Sequence, residues 1–415
     1  MPGQLLELHV ENFRSLRDVT IPLGPLTVLV GANGVGKSNV LKVFDLLADI
    51  IRTDLEPALE TRGGFDEVAF WGGPKPPTTL RIRLKATWTT HSSPNAPDEY
   101  DLKVRRYSAP SNRDNGRYRL TRSESFQFKR TRGKGRRITV SGERATVADT
   151  RSSAGFEDSS EFGIQRLSSG LSTLPRLAKT EGGAEVSLVA DQLSSFRVFD
   201  VNVDAARQPT RIEHLARLAQ RNDKLSSNAE NLAAFLLLLS QDEDRWQRLV
   251  DDACSVLPQL ADITFVHTGG SAEHVSIALR ERGLRRPTAL ADASYGTVRL
   301  LGLLALLYDP DPPALTCVEE IDHGLHPQAL QLIVERLREA SALTQFIVVT
   351  HSPALTDRLL PEEIVICERD DDGASLIPAI TTGDVRAIVE ESGDLPLGEL
   401  WFSGVLGGDL TGDEL

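Results

Sequence analysis

LTVLVGANGVGKSNVLKVFDLLADIIR, residues 26–52, is the stretch from which the fold can be read. Residues 26–30 form a continuous apolar run, the mark of a strand buried on both faces. Residues 31–38, GANGVGKS, then match G-x-x-x-x-G-K-[ST] at every fixed position. Residues 38–52 carry the apolar period of a helix. Strand, glycine loop and helix follow one another in the order that a phosphate-binding loop requires. Gly31, Gly34 and Gly36 let the backbone turn so that successive N–H groups point at one place. The helix starting near Lys37 adds its partial positive end. Lys37 is the point charge for β- and γ-phosphates, and the Ser38 hydroxyl suits Mg²⁺. A glycine-rich turn with a chance Lys-Ser needs neither flank. The predicted nucleotide-binding residues are Gly31, Asn33, Gly34, Gly36, Lys37, Ser38 and Asn39.

Working outward, residues 314–321, ALTCVEEI, read as a buried strand ending in two acids. That is the form of a Walker B site, with Glu319 holding Mg²⁺ and Glu320 orienting the attacking water. Successive side chains of an extended strand diverge, so each acid faces its own target. An acidic pair at a strand end is by itself only a solvated terminus; after a phosphate loop it is a catalytic pattern. Residues 345–352, QFIVVTHS, form a second buried strand, and His351 at its end is placed to sense a γ-phosphate. Ahead of both lies ASYGTVR, residues 293–299, where Ser294 and Gly296 open a buried helix and can present hydroxyl and bare backbone to a phosphate. Serine and glycine equally suit an ordinary N-cap. LSSG at 167–170 looks more like a signature motif as a string, but it lies far from the acidic strand and precedes a proline-broken stretch. Arg14, in the turn before the phosphate-loop strand, is either a phosphate contact or an exposed turn arginine.

The 415 residues carry 46 basic and 59 acidic side chains, a net charge of −13. Such a surface does not favour phosphate-backbone binding by the whole molecule. One local exception is KRTRGKGRR, residues 129–137, read as a hairpin tip: a nucleic-acid finger or a solvated loop. Three scattered cysteines build neither a disulfide framework nor a zinc site, which fits a reducing cytoplasm. No apolar run is long enough for a bilayer, and the N-terminus does not read as a secretion signal.

The pattern divides the chain into four segments. Residues 1–77 carry two strands joined at NFRS and then the phosphate loop. Residues 78–150 read as an antiparallel β subdomain. Residues 151–262 read as a mainly helical insertion, a lid or arm, with helices at 228–240 and 244–257 and a Ser/Gly/Glu-rich lead-in of weak periodicity. Residues 263–415 hold the acidic strand and the histidine strand. Because phosphate loop and acidic strand must serve one phosphate, the first and last segments are expected to form one head of α/β class with the middle inserted.

ENFRSL (11–16), GANGVGKSN (31–39), SYGTVRLL (294–301), VEEIDHGLHP (318–327) and THSPAL (350–355) together resemble ABC-type ATPases of the SMC/RecF-like and OLD-like group, in particular bacterial AAA family ATPases of the AAA_21 kind. LGELWFSGVLGGD (397–409) is similar to small stand-alone ATPases of that group. The resemblance implies a P-loop NTPase head that uses ATP and Mg²⁺. It implies a head-to-tail homodimer in which Ser294 and Gly296 act in trans, while Lys37, Ser38, Glu319, Glu320 and His351 act in cis. The chain departs from the pattern in having Glu319 where aspartate is commoner, and Tyr295 without a preceding Leu-Ser pair. No Q-loop glutamine is identifiable. The residues after His351 are too few for a Toprim nuclease, and DDDG (370–373) reads as a hairpin turn, so an effector is expected to be encoded separately. The resemblance suggests a Toprim-like nuclease for that role, in phage defence; a RecF-like repair ATPase and a nucleotide-holding scaffold are the alternatives.

Overall fold

A computed structural model describes residues 3–108, 118–130, 135–149, 158–178, 182–211, 224–269, 274–393 and 395–407. The chain divides into two compact units. The first comprises Met1–Phe196, Pro361–Leu395 and Leu400–Leu415; the second comprises Arg197–Leu360 and Pro396–Glu399. These divisions fall elsewhere than at 77, 150 and 262.

In the first unit β1 (Leu5–Phe13) and β2 (Leu16–Pro22) form a hairpin, and β3 (Leu26–Val30) leads into the phosphate loop and the helix Lys37–Arg52. Then come β4 (Thr79–Ala86), β5 (Asp98–Ser108), β6 (Tyr118–Phe128), β7 (Arg136–Ser141), β8 (Arg144–Asp149) and β9 (Asp158–Gly163). They belong to one eight-stranded sheet of order β2-β1-β4-β5-β6-β7-β8-β9. The antiparallel sheet is therefore not a subdomain confined to 78–150. β1 pairs with β4, Leu8 opposite Leu84 and Val10 opposite Ile82, so the opening hairpin is its first layer. Strict alternation buries Leu80, Ile82, Leu84 and Ala86 on one face of β4.

The helix Lys37–Arg52 buries Val40, Val43, Phe44 and Leu47 among others and packs on the helix Gly183–Ser194. Phe44 meets Phe196 with ring centroids 5.5 Å apart. Full burial of such a side chain stabilises by about 1.5–3 kcal/mol.

Among the described residues of the second unit, strands pair in two groups. β10 (Arg197–Phe199), β15 (Leu315–Glu319) and β16 (Gln345–Thr350) lie parallel, with Val198 beside Cys317 and Cys317 beside Ile347. β11 (Thr210–Arg211), β12 (Leu260–Thr268), β13 (His274–Glu281) and β14 (Thr288–Ala289) are antiparallel. The helices Leu232–Leu239 and Glu243–Val256, read from sequence as a lid or arm, pack within this unit on the helix Tyr295–Leu307. That central helix is apolar nearly all round, as a buried helix must be. The helix Pro327–Ala340 buries only the stripe of Ala329, Leu330, Ile333, Val334 and Leu337.

The chain's return to the first unit adds β17 (Ile364–Ile366), parallel to β3 with Val365 beside Leu29, and the small hairpin of β18 (Glu368–Arg369) and β19 (Ser375–Leu376). DDDG is the turn of that hairpin.

Candidate active site

The candidate residues divide between the two units. In the first, Gly34 and Gly36 adopt φ of 84° and 104°, a left-handed backbone that side chains resist. A Cβ on Gly31 would lie 2.3 Å from the Cys367 carbonyl oxygen; one on Gly36 would lie 2.1 Å and 2.4 Å from the hydroxyls of Ser375 and Ser15. The loop is thus pressed against β17 and its hairpin, and only glycine fits. Lys37 Nζ donates to the carbonyls of Gly31 and Ala32, both at 2.8 Å, which folds the ammonium into the loop. Gly36 caps the helix without a side-chain acceptor, and no acid occupies the first turn. Its leading N–H groups and partial positive charge thus face the loop with no side-chain anion of their own.

The loop has braces that the motif does not contain. Asn39 Nδ2 donates to Ser15 Oγ at 2.8 Å, and Ser15 Oγ shares a 2.7 Å bond with Ser375 Oγ. Arg369 Nη1 donates to the Gly34 carbonyl at 3.2 Å. Ser375 and Arg369 lie so far along the chain that no local pattern marks them; Ser15 sits inside the quoted ENFRSL and signals only a turn. Arg14, with φ of 50°, holds its guanidinium 5.4 Å from the centroid of the Trp71 ring. Burial, with a contribution from Arg62, keeps that guanidinium below its ordinary pKa. Beneath the loop, burial pushes the Cys367 thiol up to about 12, although the Lys37 charge opposes this.

In the second unit Glu319 is half-buried at the end of β15 and Glu320 is exposed beyond it. The two carboxylates were expected to diverge by strand alternation. Instead the chain leaves the strand at Glu320, whose φ is 46°. Its N–H donates to the Val349 carbonyl of β16, 2.9 Å away. The Glu320 carboxylate lies 3.2 Å from His323 Nδ1, and the His323 ring sits 5.7 Å from that of Tyr295. A Cβ on Gly296 would come 2.5 Å from the Gly324 carbonyl oxygen, so the turn that opens the helix Tyr295–Leu307 is packed on the turn after Glu320. Ser294 is the N-cap of that helix, its hydroxyl accepting from Thr297 N at 3.2 Å. Thr350 donates to Asp322 at 2.7 Å and ties the strand carrying His351 to the same turn; His351 itself is exposed.

Two other sequence features resolve differently. The basic run 129–137 has residues 131–134 outside the described residues. At its base Arg130 and Arg136 pair with Glu185 at 2.6 Å and 2.9 Å, and Arg136 also pairs with Asp149 at 2.8 Å. Ser169 of LSSG is buried, capping a single turn and donating to Glu124 at 3.1 Å. Among the described residues no helix is long and apolar enough to cross a membrane.

A glycine loop between strand and helix, and a parallel strand ending in paired acids beside a histidine strand, define a P-loop NTPase of ABC type. The profile of the family described as "AAA domain, putative AbiEii toxin, Type IV TA system" (AAA_21) matches residues 26–357, most of the 415-residue chain, and the chain belongs to that family of ABC/SMC-like AAA ATPases. Over 89 residues it is 37% identical to an OLD nuclease of Thermus scotoductus, a match spanning 16% of this chain and 17% of that relative. Its fold is similar to that of an SmcHead solved bound to the C-winged helix domain of ScpA, with a TM-score of 0.51, 14% identity, and coverage of 90% of this chain and 96% of that one. An Smc head domain from Pyrococcus furiosus aligns over 94% of this chain and 99% of its own at 14% identity, with a TM-score of 0.45.

Proposed function

We propose that the chain binds Mg-ATP and hydrolyses its γ-phosphate. The observation that carries this reading is the loop itself: left-handed glycines, a helix end without a side-chain cap, and Lys37 folded onto the loop carbonyls. Lys37 neutralises phosphate charge, Glu320 orients or deprotonates the water, and His351 reports the γ-phosphate. Ser38 and Glu319 are the residues to hold Mg²⁺, which neutralises charge on the phosphate oxygens when bound. Among the described residues no three His, Cys, Asp or Glu side chains cluster to cage a metal. Two protein oxygens fit Mg²⁺, which usually keeps its waters and takes phosphate oxygens besides. Ser294 and Gly296 complete the site of a second copy, making the protein an ATP-driven dimeric switch.

The likeness to part of an OLD nuclease supports association with a nuclease-like effector, in phage defence or nucleic-acid surveillance. Fluorescent-ATP titration and phosphate release test the core reading. Lys37→Ala should weaken nucleotide affinity at least about tenfold, a loss of about 1.4 kcal/mol, and abolish turnover. Binding without any wild-type turnover would leave only a nucleotide-holding scaffold; turnover stimulated severalfold by DNA would favour repair.

A further inference from the structure

We propose that Arg299 is a positioning residue that holds Glu320 in its left-handed turn and makes the helix Tyr295–Leu307 part of the hydrolytic apparatus. The inference rests on the role given to Glu320 above and gives a role to a residue that ASYGTVR contains but that its reading left without one. Arg299 is 3% exposed, on the buried side of an otherwise apolar helix. Nη2 donates to the Glu320 carbonyl at 2.7 Å and reaches the Glu319 carbonyl at 3.4 Å; Nη1 donates to Asp200 at 3.2 Å. Nε is buried with no hydrogen-bond partner. Burying a guanidinium is costly, and an apolar side chain would serve packing better. What the cation supplies here is the Nη2 amino group, which serves the carbonyl of Glu319 at the end of β15 and that of Glu320 just beyond it.

Those carbonyls matter because Glu320 is strained. A left-handed backbone is disfavoured for a residue with a side chain, so the turn persists only while its surroundings hold it. Three bonds do so: Glu320 N–H to Val349 on one side, and on the other the Glu320 carbonyl accepting from Arg299 and, at 2.9 Å, from His323 N–H. Without Arg299 the Glu320 carbonyl keeps only the turn bond from His323 N–H, and the kink relaxes toward ordinary backbone, which redirects the carboxylate. Gly302 assists from the same helix. A Cβ there would meet Val201 at 2.9 Å, so glycine allows the close approach of the segment carrying Asp200. The helix begins at Tyr295 and Gly296, packed on Gly324, and one turn later clasps Glu320. A shift of that opening turn is therefore transmitted to the Glu320 backbone through Arg299.

The test compares Arg299→Met, Arg299→Lys and the wild-type full chain for ATP turnover, fluorescent-ATP affinity and melting temperature. Misplacing a catalytic group by about 1 Å costs about 100-fold in rate, so Arg299→Met should lose kcat on that order. Nucleotide affinity and KM should stay within about threefold, since the interaction serves the transition state rather than binding. Arg299→Lys should recover part of kcat through a single ammonium donor. A kcat for Arg299→Met within about threefold of wild type, or a Kd that worsens in parallel with kcat, overturns the proposal. If Arg299→Met does not fold, Arg299→Lys and Asp200→Asn decide it: kcat reduced at constant KM supports positioning, and unchanged kcat in both overturns it. A wild type that fails to hydrolyse ATP refutes the parent reading instead, which the affinity measurement on the same sample makes distinct.

Discussion

Gly36 shows how closely the candidate site is specified at single positions. Its φ of 104° and the hydroxyls of Ser15 and Ser375 leave no room for a methyl group. Gly36→Ala must displace one of those hydroxyls or open the loop. It should weaken ATP binding at least about tenfold, while the strain itself costs only about 1–3 kcal/mol of stability. Fluorescent-ATP titration beside thermal melting separates the two effects; unchanged affinity would show that the β18–β19 hairpin does not shape the loop. At this scale the motif residues were legible because the chemistry of a phosphate demands them. Arg299, Ser375 and Arg369 were not, since each acts through a backbone carbonyl or hydroxyl supplied by a distant segment. Glu320 was legible as an acid but not as a kink: a strand pattern says nothing of the residue at which the strand stops.

Among the elements, β6 is the informative case. One strand runs Tyr118–Phe128 although a glutamate, Glu124, stands on the same face as Phe126 and Phe128. Glu124 is fully buried, accepting from Gly170 N at 3.0 Å and from Tyr100 Oη at 3.2 Å, with Arg122 Nε 3.4 Å away. Burial pushes the Glu124 carboxyl above its ordinary value of 4.5 and the Arg122 guanidinium below its own. A carboxyl with a raised folded pKa contributes stability that is complete below its unfolded pKa and is lost as pH rises through the folded value. Glu124→Gln removes that titration. In urea melts from about pH 5 to about pH 8 the difference in stability should therefore move in favour of glutamine as pH rises; a constant difference would refute a buried titrating carboxyl. Similar blindness hid the helix Gly183–Ser194. Val186, Val189, Ala190 and Leu193 have helical spacing, but glycines and serines around them obscure it. The runs of β3, β15 and β16 stood out because both faces are buried, and the β1–β4 pairing did not, because register between distant strands leaves no local trace.

For the whole molecule, an ATP-driven dimeric switch requires that nucleotide and a second copy act together. The turn of Ser294 and Gly296 packs on its own chain's Gly324, so it is fixed relative to Glu320 before any partner arrives. Binding of a second head at that turn would then be felt at the acid through Arg299, and specific activity should rise with protein concentration. The most direct test is the solution mass of Glu320→Gln, by sedimentation or light scattering, with and without Mg-ATP. The expected result is a shift from the 45.4 kDa single chain to twice that mass on adding Mg-ATP. A mass that stays at one chain with ATP bound, or that is already doubled without nucleotide, would contradict an ATP-driven dimeric switch.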